Sequence, residues 1–134
     1  MTITNPYKTY QDNSVTTASP GELTLMLYNG CLKFIHLAKV AIDNNEIESK
    51  NTNIQKAQKI ISELMSTLNV ESEVTKGMLS LYEFSNHKLF SANIRSDINE
   101  LQEAQAIITE FRDAWKQAIQ LNRQKQYAGS DGRA

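Results

Sequence analysis

The sequence predicts an all-α protein, an antiparallel up-down four-helix bundle, on three observations. Its two prolines, Pro6 and Pro20, both fall in the first twenty residues, and a single glycine, Gly77, interrupts the stretch between Cys31 and Ala128. Helices tolerate that composition, whereas turn-rich β folds need both residue types often. Within the stretch, apolar residues recur every three or four positions, which keeps them on one helical face. The breaks at Asp43-Asn44-Asn45, Asn69-Val70-Glu71 and Asn93 to Asp97 are short and polar, as tight helix–helix connections are. Helices of about 20 residues, roughly 30 Å long, joined this way alternate up and down.

One domain is expected over 1–134, with an extended arm at 1–18, the bundle at 19–121 and a flexible, disordered tail at 122–134. The helices are placed near 20–42, 47–68, 73–93 and 98–121. The first opens with Ser19 as N-cap, Pro20 in the first helical position and Glu22 in the third, each of which satisfies or removes an orphan backbone N–H. On a wheel of 100° per residue, Leu23, Met26, Leu27, Gly30, Phe34, Leu37, Ala38 and Ala41 lie within about 60° of Leu23. They are the expected core face.

A second stripe of Leu25, Tyr28, Leu32 and Ile35 lies about 120–200° away on the same wheel. Its 3, 4, 3 spacing is that of a helix-packing seam. Three readings compete. The first helix is touched on both sides by its own bundle, or the arm covers it with Tyr7, Tyr10 and Val15, or a partner's apolar segment docks there. A bundle helix rarely needs two faces, so the partner reading leads. Leu25, Tyr28, Leu32 and Ile35, with Tyr7 and Tyr10 on the arm, are therefore the expected binding residues. A bundle that dimerises through the stripe is the structural competitor.

The second helix shows Ile54, Ala57, Ile61, Leu64 and Leu68 on one face, and the third a looser row of Val74, Met78, Leu81, Ser85, Leu89 and Ala92. In the fourth, Leu101, Ala104, Ile108, Phe111, Trp115 and Ile119 form the stripe. Asp97 and Glu100 repeat the N-cap-to-N3 spacing, and Lys116, Arg123 and Lys125 sit toward the negative end of its dipole. Leu79 and Phe90 on the third helix and Ile107 on the fourth are off these rows. They hint at further apolar surface.

A formal net charge of −1 with 40% hydrophobic and 22% charged residues is ordinary for a globular domain. Long-range attraction to nucleic acid or anionic lipid is not expected. Neither a signal peptide nor a run of about 20 apolar residues is expected, so direct membrane insertion is not. Cys31 is the one cysteine, consistent with a reducing, cytoplasmic setting and most simply a buried, inert thiol. The two histidines, His36 and His87, form no spaced set with Cys31 or with paired carboxylates. No metal, cofactor or catalytic residue is expected. The exception worth weighing is His36-Leu37-Ala38-Lys39, flanked by Lys33. A surface His beside lysines could accept a phosphoryl group, as in a histidine phosphotransfer domain, though Val40 and Ala41 then replace the Lys-Gly and small residues usual there.

The chain resembles the FliS family of flagellin-specific export chaperones. The likeness runs through Asn5-Pro6-Tyr7, Tyr10, Val15 and Ala18-Ser19-Pro20-Gly21-Glu22-Leu23 to Met26-Leu27-Tyr28-Asn29-Gly30. It returns at Leu81-Tyr82, Leu89, Ala92-Asn93-Ile94 and Phe111-Arg112-Asp113-Ala114-Trp115-Lys116. Phe84 and Ser85 depart from it, standing where a tyrosine and an apolar residue are common. The resemblance implies a cytoplasmic, non-enzymatic chaperone that binds the disordered C-terminal segment of flagellin and prevents premature polymerisation. It further implies delivery to the export-gate membrane protein of the flagellar type III system.

Overall fold

The computed structural model describes residues 19–131, with side chains described as far as residue 125. Four helices follow in order, α1 (Pro20–Asp43), α2 (Ile47–Ser66), α3 (Glu73–Arg95) and α4 (Ile98–Asp131). They alternate as the sequence predicts, with α1 and α3 each packed between α2 and α4, so that α1 and α3 face each other across the diagonal.

The ends obey the local signals. Ser19 Oγ accepts from the Glu22 N–H at 3.2 Å, and Pro20 follows it. Ser72 and Thr75 close a capping box at the start of α3, each side chain accepting from the other residue's N–H. Asp97 Oδ1 caps α4 through the Asn99 N–H at 2.9 Å, while Glu100 turns away to accept from Ser91 Oγ. Asn45 and Ser96 take the left-handed conformation at the two sharp turns, φ 58° and 50°. Buried Lys50 donates to Asn93 O at 2.8 Å and Ser96 Oγ at 2.9 Å. Its ammonium thus answers free acceptors at the negative end of α3 and ties α2 to the α3–α4 turn.

One helix boundary differs from the sequence expectation. α4 extends to Asp131, beyond the end expected near residue 121. Arg123 to Ala128 are helix formers without a breaker, and Arg123 pairs with Glu22 of α1, which anchors the extension. By length and mean hydropathy (1.3) α1 is long and apolar enough to cross a membrane, although Asn29, Lys33, His36 and Lys39 interrupt its apolar residues. Its apolar side chains have a use inside the bundle instead.

That use becomes clear in the core. It is built from Tyr28, Cys31, Ile35 and Ala38 on α1, Ile54, Ala57, Ile61 and Leu64 on α2, Tyr82, Leu89 and Ala92 on α3, and Leu101, Ala104 and Ile108 on α4. On α2 and α4 these are the predicted stripes. On α1 the core line runs through Cys31, between the two predicted stripes, and takes Phe34, Ala38 and Ala41 from the first and Tyr28 and Ile35 from the second. One stripe meets α2, where Lys56 lies 5.3 Å from the Phe34 ring centre. The other meets α4. Helix 1 is broad-faced because two neighbours clasp it.

Candidate functional site

The predicted binding residues do not come together as a free surface. Tyr28 is 2% exposed and Ile35 is fully buried, so both are corrected from groove residues to core residues. Leu32 is half-buried against the same core. Leu25 lines a cleft of about 230 Å³ between α1 and α4 with Asn29, Arg112, Asp113 and Lys116. A dimer through this stripe loses its surface for the same reason. Tyr7, Tyr10 and Val15 lie outside the described residues.

The inside of the stripe is instead a polar lock. Tyr28 and Tyr82 share a hydrogen bond between their hydroxyls at 2.5 Å. Phe111 of α4 stacks on Tyr82 at 4.7 Å and lies parallel to Tyr28 at 6.0 Å. Burial raises the pKa of both phenols, and for Tyr82 the bond to Tyr28 raises it further. Cys31 is pushed up to about 12 by burial alone, and its thiol points at Ala57 O, 3.8 Å away. It is a packed thiol. His36 is exposed on α1 beside Lys33, while Lys39 is held by Gln105 of α4 at 3.1 Å. Among the described residues no three His, Cys, Asp or Glu side chains are grouped as a metal would require.

Exposed apolar side chains also occur on Leu37 and Val40 of α1, Ile47 of α2 and Val70, but an aligned group lies on the seam between α3 and α4. Val74 (73% exposed), Leu81 (45%) and Phe84 (47%) follow the 3/4 spacing along one side of α3, with Gly77 between the first two. That side faces α4, because Lys88, the next residue in the row, pairs with Glu103 at 2.9 Å. Lys88 also sits 5.3 Å over the Phe84 ring. The matching row on α4 holds half-buried Ile107, exposed Glu110, Ala114 and Ala118, and Leu121 (52%). Four large apolar side chains are therefore left outside the bundle along one seam, rimmed by a charge pair at one end. Phe90 and Ile94, also exposed, lie on a different side of α3.

Sequence reasoning missed this seam because Val74 and Leu81 continue the spacing of Ser85 and Ala92. Tyr82, one step round, takes the core position in place of Leu81. A signal was present: Val74, Gly77, Leu81 and Phe84 form their own 3, 4, 3 row beside the one through Met78, Ser85 and Leu89.

Comparison with known proteins gives a consistent result. The family model described as flagellar protein FliS matches residues 3–122. The flagellar secretion chaperone FliS of Bacillus subtilis is 54% identical over 132 residues, covering 98% of each chain. The protein of the same name from Escherichia coli is 31% identical over 111 residues, 81% of this chain and 82% of that one. A solved crystal structure of a bacterial flagellar chaperone superposes with a TM-score of 0.70 over 85% of this chain and 94% of that one. At 15% identity it supports the fold alone.

Proposed function

The chain belongs to the FliS family of flagellar secretion chaperones, and from that premise we propose that it binds the C-terminal segment of flagellin on the α3–α4 seam in the cytoplasm. The observation that carries this reading is the row of Val74, Leu81, Phe84 and Leu121, exposed together along one helix–helix seam. An unfolded apolar segment that must not self-assemble is the natural occupant of such a row. It gains about 1.5–3 kcal/mol for each large side chain fully buried, against an ordering cost of about 2–5 kcal/mol. Covering the segment keeps flagellin from polymerising, and the complex is handed to the export-gate membrane protein.

The arm joins this proposal through Tyr7 and Tyr10, as aromatic contacts to the same client. Its attachment point favours the role. Trp115 Nε1 donates to Gly21 O at 2.8 Å, which fixes the start of α1 against the half of α4 that carries Leu121. Nothing in the arrangement favours phosphotransfer through His36.

Calorimetric titration with intact flagellin, beside flagellin lacking its C-terminal region, tests the reading. Binding of the intact protein with a clearly negative heat-capacity change and little salt dependence is expected, and none with the truncated form. Equal binding of both forms would overturn it.

A further inference from the structure

α4 sorts its charges by side. Toward α3, Glu103 pairs with Lys88 at 2.9 Å, Glu100 accepts from Ser91 at 2.9 Å, and exposed Glu110 follows. Arg112, Lys116 and Arg123 fall within about 40° of one another on the helical wheel, on the α1 side. Arg123 pairs with Glu22 of α1, and Arg112 and Lys116 line the cleft of about 230 Å³ with Leu25 and Asn29 of α1. Both acids at this face are already engaged, Asp113 by Arg112 and Glu22 by Arg123. Lys116 has no ion-pair partner among the described residues. The rest of the chain supplies no excess of acid to neutralise it. Residues 1–18 add Lys8 and Asp12, and residues 126–134 add Asp131 and Arg133.

We infer that the α1–α4 cleft is a second docking site, which takes an acidic segment of a partner protein with a carboxylate at Lys116 and Arg112. The donors suit that group. Asp113 Oδ1 takes Arg112 Nε and one Nη, both at 3.0 Å, and a guanidinium has five N–H donors, so further ones remain beside the Lys116 ammonium. Asn29 adds an exposed amide, and Leu25 gives the cleft an apolar wall. At about 230 Å³ the cleft is below the range of about 300–1,000 Å³ usual for small-molecule pockets, and side chains of a peptide fit it better. A polyphosphate chain fits less well. Asp113 and Glu22 interrupt the basic face, and no aromatic side chain among the described residues lines the cleft for base stacking. Arg112 and Lys116 lie about 120–180° round α4 from Ala114, Ala118 and Leu121. The cleft and the α3–α4 seam can therefore be occupied together.

Fluorescence anisotropy with a labelled acidic octapeptide of glutamate and leucine tests this, beside the same peptide with glutamine for glutamate. Wild type should bind the acidic peptide alone, and raising NaCl from about 50 to about 500 mM should weaken binding about tenfold. Lys116→Glu should weaken it by about tenfold or more, and Lys116→Arg should keep it. Asp113→Asn releases Arg112 from its internal partner and should strengthen binding about threefold. Lys125→Glu makes the same charge change at an exposed position about 180° round α4 from Lys116, and should leave affinity unmoved. No binding by wild type would overturn the proposal, and so would equal weakening by Lys125→Glu. A single-stranded DNA octanucleotide that binds as tightly as the peptide would give the face to nucleic acid instead. A loss of flagellin affinity in Lys116→Glu would give the cleft to the client and equally overturn a second site.

Discussion

The Tyr28 and Tyr82 hydroxyls meet at 2.5 Å across the diagonal of the bundle, joining α1 directly to α3. Removing one partner leaves the other buried and unpaired. Tyr28→Phe and Tyr82→Phe should each destabilise the fold by about 1–3 kcal/mol, and the double variant by less than their sum. Chemical denaturation of the three variants checks this. Strict additivity would mean that the hydroxyls do not act as a pair.

Alkaline pH should weaken the fold through the same groups. Folding raises the pKa of Tyr28, Tyr82 and Cys31, so the native state keeps protons that the unfolded chain releases. Stability is then full below the unfolded values and falls as pH rises, from about pH 9 for the thiol and about pH 10 for the phenols. Thermal melts from pH 8 to 11 should show the decline, and the double Phe variant a shallower one.

Cys31 should resist iodoacetamide at pH 8 until the bundle opens. A thiol pushed up to about 12 carries almost no thiolate there, and it is fully buried. Labelling should track global unfolding in urea. Rapid labelling of the native protein would contradict the packing described.

Ser85 is fully buried, and its hydroxyl has no hydrogen-bond partner among the described residues. Ser85→Ala deletes that uncompensated polar group, so stability should hold or rise by about 1 kcal/mol. A loss of that size would show that the hydroxyl is bonded in solution.

What the sequence made legible follows from how many neighbours each helix has to satisfy. On α2 the row from Ile54 to Leu64 is narrow and unopposed, so spacing alone locates the core, and the row from Leu101 to Ile108 on α4 reads as easily. The Ser19 cap and the Asp97 cap are local, so they too were readable. On α1 the apolar residues spread around much of the wheel, and a centre placed on Leu23 misses Cys31. Only the positions of α2 and α4 show that both stripes flank one face. On α3, a tyrosine reads as a surface residue unless its hydroxyl has a partner. Tyr82 has one in Tyr28, which lies far away in sequence. That pairing moved Leu81 and Val74 outward, and with them the candidate site.

The central claim is that the client docks on the α3–α4 seam and not on the second stripe of α1. Calorimetric titration of Leu81→Asp with intact flagellin tests it most directly. Leu81 is half-exposed in the free protein, so the carboxylate can hydrate and the variant should keep its helicity and melt close to wild type. Docking of an apolar helix would strip that water away, so affinity should fall at least tenfold, or about 1.4 kcal/mol. A folded Leu81→Asp protein that binds flagellin as tightly as wild type would contradict the account.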